Sequence, residues 1–378
     1  MRSGLDRSCN SGHIDGGLIH VDAPTEVESH PRMPSPSPAR VEPSDDTVRV
    51  GPIAALPAVL SELGVSPARI FTQARVSLRA FRNPESRVSL RSIGRLLDKA
   101  AKTTDCAHLG LLIGAHFRLQ ALGPIGDLMH NSATVGDALR NLVLHLHIHD
   151  RGAAAVLMKV GDAAAIMGYS VCRDDTVGLR HIYDTTNAIV FRLLKELCGP
   201  AFKPVGAHFA YPQPPNADVY RNYFGCATAF SASLSGIRFE APWLSKPITR
   251  AEPAAHRDLS REVVREDAQD DLPFAQRVEL VAHQMLLGGT ATATAVAAML
   301  NVSERTLRRK LQEEDQQFQA LLNRRRHSLA RQLLRNTSLP VADIATALQY
   351  KDANAFSRAF RGWARCPPSE WRAQARAN

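Results

Sequence analysis

The sequence has few of the residue patterns that mark metal-binding or redox proteins. Its six cysteines never occur in a Cys-x-x-Cys spacing, so neither a zinc ribbon nor a thiol redox motif can be argued. Several of them lie within apolar runs, where free cysteine usually acts as a small buried hydrophobic residue. This distribution is typical of a protein that folds in a reducing compartment.

Signals for export and membrane insertion are also missing. The first twenty residues lack the apolar core of a signal peptide, and no run of 18 apolar residues occurs that could span a bilayer. We therefore expect a cytoplasmic protein with no membrane partner.

Sequence motifs for catalysis are absent as well, since there is no Gly-x-Ser-x-Gly elbow, phosphate-binding loop or dinucleotide fingerprint. We predict no catalytic residue, no cofactor and no enzymatic activity. The competing hypothesis is an enzyme built on His145, His147 and His149, whose imidazoles would share one face of a strand and could bind zinc. On a helix only the first and third would be neighbours. A helix capped by Thr134 is the better supported interpretation, so we predict no metal site.

Positive charge is concentrated in the C-terminal part of the chain. The whole sequence has 46 Lys and Arg against 37 Asp and Glu, a formal net charge of +9. Residues 275–378 contain 16 Lys and Arg against 8 Asp and Glu, so nearly all of the surplus lies there. A basic surface alone can serve only solubility. Combined with the motifs below, it favours a polyanionic partner.

A helix-turn-helix pattern occurs twice in this basic part. In each copy, a short helix with alanine at its crossing point, Ala297 or Ala345, is followed by a turn and a polar N-cap, Ser303 or Asp352. The first buried side chain of a second helix follows each cap by four residues. Small residues permit a tight helix crossing, and second helices capped in this way present their first turns outward.

The outward positions of the two second helices form the predicted DNA-binding surface. Arginine can hydrogen-bond guanine O6 and N7 together, which gives about 1 to 3 kcal/mol of discrimination. The alternative is that Arg308 and Arg309 only contact phosphate or pair with neighbouring glutamates. The second copy offers shorter side chains, which favours backbone contacts over base reading. The predicted contact residues are Arg305, Thr306, Arg308, Arg309 and Gln312 in the first motif and Lys351, Asn354, Ser357, Arg358 and Arg361 in the second.

One amphipathic helix, predicted from Phe318 to Leu334, joins the two motifs. At about 1.5 Å per residue it would span roughly 26 Å. Such a rod can hold two recognition helices near one DNA turn, about 34 Å, apart, so that both enter successive major grooves on one face of the duplex.

The upstream half predicts a mixed α/β domain. Helical periodicity dominates its beginning, and Gly123–Gly126 is interpreted as a break before a helix from Val135 to about His147. Two apolar, partly β-branched runs, 153–160 and 163–171, flank a Gly-Asp turn and predict a hairpin. A long helix from about 176 to 197 follows, then a helix near 217–224 among short strands near 205–210, 228–231 and 237–239.

We divide the chain into a leader, an α/β domain, a linker and an all-α domain. The leader is rich in Gly, Ser and Pro without periodicity and is predicted to be disordered; Met33 is an alternative start to Met1. The linker is charged, has no wide apolar face and predicts a solvated helix between two independently folding units. The bounds are 1–48, 49–246, 247–271 and 272–378, with the helix-turn-helix motifs at about 292–314 and 340–363.

Several segments carry a family resemblance. Ser303–Leu311, Phe356–Phe360 and Pro368–Arg372 resemble the DNA-binding domain of AraC/XylS-type transcription regulators. The upstream domain is similar, more loosely, to the arabinose-binding-type effector domain of a subgroup of these regulators, through His149–Ala153 and Tyr220–Gly225. The resemblance implies a one-component regulator, usually an activator, in which an effector domain senses a small molecule. Its implied partners are double-stranded promoter DNA, the effector, RNA polymerase and a second copy of the chain.

Candidate effector-binding residues are polar groups beside apolar runs of the α/β domain. The Arg180 guanidinium suits a carboxylate effector through bidentate pairing. The alternative is that they are ordinary surface residues, or core residues whose hydrogen bonds are made within the protein. The candidates are His149, Tyr169, Arg180, His181 and Tyr183.

The chain departs from the family's pattern at two turns. Gln349 stands where glycine is common in the second turn, and Arg365 replaces the glycine often seen before the final Pro-Ser-Glu motif. If φ is positive there, a non-glycine residue costs about 1 to 2 kcal/mol. We therefore expect Gln349→Gly to stabilise the C-terminal domain.

The same sequence is compatible with a constitutive DNA-binding regulator whose N-terminal domain only oligomerises. Because a true effector stabilises the folded protein by mass action, ligand-dependent thermal stability separates the two hypotheses.

Overall fold

The structure of the chain, a computed structural model, describes residues 46–249, 251–268 and 272–377. The predicted leader, with Met33, lies outside these residues as far as residue 45. Its predicted end at residue 48 is too late, because strand β1 (Thr47–Arg49) already pairs with β2 (Arg87–Ser89) as an antiparallel ribbon.

Helices occupy most of the chain before residue 150, as the periodicity predicts. They are α1 (Leu56–Glu62), α2 (Pro67–Ala74), α3 (Leu90–Thr104), α4 (Leu109–Ala115), α5 (Pro124–His130) and α6 (Val135–His149). The predicted break extends too far, since residues 124–126 already lie in α5, and it is confirmed only at Gly123. This glycine is the N-cap of α5 at φ 57°, and Pro124 takes the first turn, where its missing N–H leaves no bond unmade. The predicted cap of α6 is confirmed, since the Thr134 hydroxyl accepts from the Asp137 N–H at 3.1 Å.

A five-stranded mixed sheet follows. Its strands are β3 (Ala153–Val160), β4 (Ala164–Val171), β5 (Gly206–Phe209), β6 (Ala227–Phe230) and β7 (Ser235–Glu240), in the order β3-β4-β7-β5-β6. The predicted hairpin is confirmed, because β3 and β4 pair antiparallel along their whole length. Only β5 and β6 run parallel to each other among these pairs. The mixed α/β fold class predicted for this half is thus confirmed.

Two further helices complete this sheet region, α7 (Leu179–Cys198), which packs on β4 and β7, and α8 (Ala217–Phe224). Helix α7 starts later than predicted, because Gly178 adopts φ 70° outside the helix. Glycines let α4 approach α7 closely: a Cβ on Gly110 would lie 2.7 Å from the His181 carbonyl oxygen, and one on Gly114 2.6 Å from that of Thr185. This contact holds α7 against the helical layer.

The predicted linker forms helix α9 (Pro253–Ala268), which packs on α5 and α6. The expectation that it is solvated is wrong in part, since Val263 is fully buried in the N-terminal core and Leu259 packs against that core. These two residues are four apart and make a narrow apolar stripe on one side of the helix. Helix α9 therefore belongs structurally to the N-terminal domain.

The C-terminal part has a separate hydrophobic core and is all-helical in the residues described. Its helices are α10 (Phe274–Leu287), α11 (Ala293–Met299), α12 (Glu304–Glu313), α13 (Phe318–Asn336), α14 (Val341–Ala347), α15 (Ala353–Ala364) and α16 (Pro368–Ala377). Helices α11 and α12 form the first predicted helix-turn-helix, α14 and α15 the second, and α13 the long helix between them. No helix in the described ranges is both long and apolar enough to cross a membrane.

The two non-glycine residues singled out in the sequence both have positive φ, 60° at Gln349 and 63° at Arg365. Their side chains differ, however. The Gln349 Nε2 donates to the carbonyl oxygens of Met285 and Leu286, at 3.1 and 2.7 Å, and its Oε1 accepts from the Ala291 N–H at 3.3 Å. Gln349 thus caps the C-terminal end of α10, whereas Arg365 is exposed.

The structure reverses our expectation for Gln349→Gly. Glycine would relieve about 1 to 2 kcal/mol of backbone strain, but the three lost hydrogen bonds contribute about 0.5–1.5 kcal/mol each. We expect Gln349→Gly to lower the free energy of unfolding by about 1 kcal/mol, and the control Arg365→Gly, which loses no side-chain hydrogen bond within the described residues, to raise it by a similar amount. Urea unfolding of both variants tests this; stabilisation by Gln349→Gly would contradict it.

Candidate DNA-binding surface and N-terminal cavity

The first helix-turn-helix presents an exposed basic face on α12. Leu307 and Leu311 are buried at 0% and 1% exposure, which turns Arg305, Arg308 and Arg309 to the solvent. The predicted N-cap is confirmed: the Ser303 Oγ accepts from the Thr306 N–H at 3.1 Å. Capping leaves the N-terminal end of α12 regular and outward-facing, as a helix entering a DNA groove requires.

Two arginines of α12 form ion pairs with glutamates on the same helix. Arg308 lies 2.6 Å from Glu304 and Arg309 lies 2.8 Å from Glu313, both at i,i+4 spacing with largely exposed arginine side chains. Pairs of this kind contribute only about 0.3–0.5 kcal/mol, so a phosphate or a base can replace the glutamate at little cost. Within the described part of the chain, Arg305 has no ion-pair partner.

Thr306, another predicted contact residue of the first motif, has a hydrogen-bond partner within the protein. Its hydroxyl lies 2.8 Å from the Ser303 Oγ and is therefore part of the cap. Gln312 is exposed one turn further along α12.

The second motif follows the same plan with a different outer surface. Phe356 and Phe360 are fully buried, and Asp352 caps α15 by accepting from the Ala355 N–H at 2.7 Å. The predicted contact residues here are exposed except Ser357, which is half-buried; they are Lys351, Asn354, Ser357, Arg358 and Arg361. The copies thus share their buried positions and differ in what they present.

The N-terminal domain contains a cavity of about 100 Å³ between β1, the helices α3, α6 and α7, and the sheet strands β3 and β4. Most of its wall is apolar. The polar and charged groups on the wall are Arg49, His149, Asp150, Tyr169, Thr185 and Thr186. An apolar cavity with a few convergent polar groups is the usual form of a small-molecule site.

The polar groups at the end of α6 are closely linked. Asp150 is 3% exposed and accepts hydrogen bonds from the Tyr169 hydroxyl and from the Gly152 N–H at 2.8 Å. Burial raises the pKa of Asp150 to about 6, although the Tyr169 hydrogen bond opposes this. Burial, followed by the charges of Arg49 and Arg87, lowers the pKa of His149 to about 3, so this imidazole is neutral at pH 7.

Of the five predicted effector residues, only His149 and Tyr169 line this cavity. Arg180 is corrected: its Nη2 donates to the Ala107 carbonyl oxygen and the Tyr220 hydroxyl, each at 3.1 Å, and its Nε lies 3.9 Å from Asp184. Its carboxylate partner is therefore part of the chain itself. Burial raises the pKa of Asp184 to about 7, with hydrogen bonds from Tyr211 and Tyr220 opposing the shift.

His181 and Tyr183 also lie away from the cavity wall. His181 is 9% exposed, its carbonyl oxygen faces Gly110 of α4, and burial lowers its pKa to about 4. Tyr183 is fully buried, and its hydroxyl accepts from the Gln332 Nε2 of α13 at 3.1 Å. Tyr183 therefore belongs to a contact between the two domains.

The three histidines considered for zinc lie on helix α6, where only His145 and His149 share a face. In the ranges that the structure describes, no group of three or more His, Cys, Asp or Glu side chains is placed to hold a metal ion.

The end of β4 and the segment after it lie against α10 and α13 of the C-terminal domain. Ser170, 3% exposed, has its Oγ 3.0 Å from the Nε2 of the fully buried His283 on α10. The Cys172 carbonyl oxygen accepts from the Arg325 Nη1 at 3.2 Å and from the Ser328 Oγ at 3.0 Å, both on α13. Arg335 further along α13 donates to the Asp174 carbonyl oxygen at 2.6 Å.

Apolar packing extends the same contact. Val156, Ile166 and Leu234 form a small buried cluster on the sheet, and Leu287 of α10 packs against it. The two domains have separate cores but share this interface, which the prediction of independent units joined by a solvated linker did not include.

Comparison with known families places both halves of the chain. Residues 64–248 match the arabinose-binding domain of AraC transcription regulators, and residues 296–374 match a helix-turn-helix domain. The chain belongs to the AraC family. It is accordingly a DNA-binding transcription regulator with an arabinose-binding-type N-terminal domain, as the sequence resemblance implied.

The AraC-family chain matches other transcription regulators over most of their length. It is 25% identical over 316 residues to the HTH-type transcriptional regulator VirS of Mycobacterium tuberculosis, covering 83% of this chain and 93% of that protein. It is 28% identical over 340 residues to the ornithine utilization regulator of Pseudomonas aeruginosa, covering 88% and 98%. Among solved structures, the transcriptional regulator CdpR from Pseudomonas aeruginosa matches with 21% identity over 81% of this chain and 96% of that chain, at a TM-score of 0.39.

Sequence reasoning missed several residues that the AraC-family structure brings together. Arg49 and Asp150 line the cavity although they fall at the ends of predicted elements. Arg325 and Gln332 contact the N-terminal domain from α13. The sequence did contain a signal for Arg325 and Gln332. Each lies three residues after a leucine of the apolar stripe of α13, Leu322 or Leu329, where a buried polar side chain needs a hydrogen-bond partner.

Proposed function

We propose that this AraC-family regulator binds promoter DNA through both helix-turn-helix motifs and responds to a small molecule bound in the N-terminal cavity. One observation carries the effector response. Neighbouring residues of β4 face different partners: Tyr169 lines the cavity, and Ser170 contacts His283 of the C-terminal domain. Because successive side chains of a strand point to opposite faces, a ligand that shifts β4 also shifts its contact with α10.

The tyrosine of α7 supports the same route. Helix α7 lines the cavity with Ile182, Thr185, Ile189 and other residues, and its Tyr183 accepts a hydrogen bond from Gln332 of α13. Helix α13 joins the two DNA-binding motifs. A ligand that displaces α7 would therefore act on the element that sets the position of one motif relative to the other.

The same proposal includes activation of transcription, contact with RNA polymerase and a homodimer formed through the N-terminal domain. Membership of the AraC family supports these three points. The proposal also includes a cytoplasmic location, where promoter DNA is accessible, and the absence of a catalytic role, since the families matched are those of regulators. The predicted DNA-contacting residues on α12 and α15 remain part of it.

The second candidate is a constitutive regulator whose N-terminal domain only oligomerises. One observation favours this candidate: Asp150 at the end of the cavity accepts hydrogen bonds from Tyr169 and Gly152. A fully bonded polar cluster of this kind can contribute to stability alone.

The coupling can be tested with full-length protein and an operator selected from random duplexes. A compound from a panel of amino acids, organic acids and fatty acids that raises the melting temperature should change operator affinity by about 5- to 150-fold, the usual range of allosteric coupling. Gln332→Ala should keep compound binding but lose most of this change, because the contact with Tyr183 is removed. Gln319→Ala, on the exposed side of the same helix, is the matched control and should behave as wild type.

Two results would count against the proposal. A stabilising compound that leaves operator affinity unchanged in the wild type would favour the constitutive regulator. Full coupling in Gln332→Ala would show that α7 and α13 do not communicate through this contact.

A further inference from the structure

One buried side chain on the cavity wall lacks a hydrogen-bond partner within the described residues. His149 is 3% exposed, and neither its Nδ1 nor its Nε2 is bonded. A buried polar group left without a hydrogen bond destabilises the fold, and most buried polar groups are bonded. The cavity is the space next to this imidazole from which a partner can come.

The charges acting on His149 are positive. Arg49 lines the cavity with a side chain only 11% exposed, and it pairs with the more exposed Glu85 at 3.1 Å. Arg87 lies on the neighbouring strand, where its Nη2 donates to the Ile148 carbonyl oxygen beside His149. Both guanidinium groups lower the pKa of this imidazole. A charge that disfavours an imidazolium favours an anion at the same place.

Acidic groups near this end of the cavity are already bonded. The Asp150 carboxylate accepts from Gly152 and Tyr169, and Asp46 accepts from the Ser89 Oγ at 3.0 Å. A cationic ligand would have to compete for these oxygens and would also meet Arg49. An anion finds the unbonded imidazole instead.

The rest of the cavity fixes the size and the polarity of the ligand body. Its wall there consists of aliphatic side chains of α3, α6 and α7, among them Ile93, Leu146 and Ile189. The cavity volume is about 100 Å³. An engineered apolar cavity of about 150 Å³ in another protein binds benzene. This cavity has about two thirds of that volume, so the ligand body that fits is smaller than a benzene ring and is a short alkyl chain.

We propose that the cavity binds a small apolar monocarboxylate, whose carboxylate accepts a hydrogen bond from His149 beside Arg49 while its short alkyl chain lies among the aliphatic side chains. This assignment rests on the proposed function, because it names the class of effector that the same cavity takes. It replaces Arg180, which the chain uses internally, as the recognition site for a carboxylate.

Three probes of nearly the same shape test the assignment by calorimetric titration of the full-length protein. They are butyrate, neutral butyramide and cationic butylammonium. We expect butyrate to bind at least tenfold more tightly than either of the others. Equal or tighter binding of butyramide or butylammonium would overturn the assignment, as would the absence of butyrate binding at millimolar concentrations.

Variants locate the binding site. His149→Phe keeps a ring of similar size without nitrogens and should weaken butyrate binding at least tenfold while removing the preference over butyramide. His147→Phe, two residues earlier on α6 and outside the cavity wall, is the control and should bind as wild type. Ala155→Leu fills the cavity from β3 and should abolish binding of all probes; butyrate binding that survives both cavity variants would contradict the site.

The outcome for the ligand class is separable from that for the proposed function. Butyrate binding that follows this pattern but leaves operator affinity unchanged would confirm the ligand class and count against the effector response. Another probe that binds in the cavity and changes operator affinity would overturn the ligand class and leave the effector response standing.

Discussion

Arg308→Ala should lower affinity for the selected operator by about 5- to 150-fold while changing affinity for a scrambled duplex much less, since a bidentate contact to guanine contributes about 1 to 3 kcal/mol of discrimination. Arg308 is exposed on α12 beside the buried Leu307 and Leu311, and a surface ion pair with Glu304 holds it. Arg361→Ala, on the second motif, should instead lower affinity for both duplexes alike, because we assign it to phosphate.

Fluorescence anisotropy over a series of salt concentrations measures both effects. Removing one phosphate contact should reduce the magnitude of the slope of log affinity against log salt concentration by about 1. We expect this reduction for Arg361→Ala. Arg69→Ala removes the same charge from an exposed position on α2 and controls for net charge. Equal loss of specificity in the Arg308 and Arg361 variants would contradict the division between a reading motif and an anchoring motif.

Glu279→Ala should destabilise the C-terminal domain by about 2–4 kcal/mol, because it leaves a poorly exposed arginine without its counter-charge. Glu279, 9% exposed on α10, accepts from Arg324 at 2.8 Å and from Arg325, both on α13. The Arg325 side chain is 20% exposed, so solvent recovers part of the lost interaction. The positions of α10, α13 and the Cys172 carbonyl oxygen all depend on this carboxylate.

Urea unfolding followed by tryptophan fluorescence measures this loss, since Trp363 and Trp371 lie in the C-terminal core. Glu313→Ala removes an exposed partner of Arg309 and is the matched control; an effect of about 0.5 kcal/mol or less is expected for a surface pair. If Glu279→Ala were as mild as Glu313→Ala, the buried pair would not be a structural link between α10 and α13.

The contact between the two domains offers a specific route for the effector response that we propose. Strand β4 separates the cavity from α10, and α7 separates it from α13. Allosteric coupling needs an element that both sites can bias. The chain has two such elements in direct contact with both the cavity and the C-terminal domain.

Prediction from the sequence succeeded where local chemistry decides the structure. The N-caps Ser303 and Asp352 and the buried residues Leu307 and Phe356 follow from short-range patterns, and the structure confirms them. The hairpin of β3 and β4 is confirmed for the same reason, because two apolar, partly β-branched runs around a Gly-Asp turn favour an antiparallel pair.

Prediction failed where the partner lies far away in the chain. Arg180 suits a carboxylate in any setting, but only the fold shows that the carboxylate is Asp184 and that Tyr220 shares it. The sequence indicated that Gln349 is a strained turn residue. The structure shows that its side chain bonds Met285 and Leu286, more than 60 positions away in the chain.

The sequence by itself determined the two-domain plan, the double helix-turn-helix and the outward arginines of α12, because helix periodicity, caps and charge are local properties. Only the tertiary structure decided that His149 and Tyr169 share a cavity with Arg49 and that β4 and α7 join this cavity to the C-terminal domain. The physical reason is that these contacts pair polar groups buried by the folding of distant segments, and no local pattern records which partner each will meet.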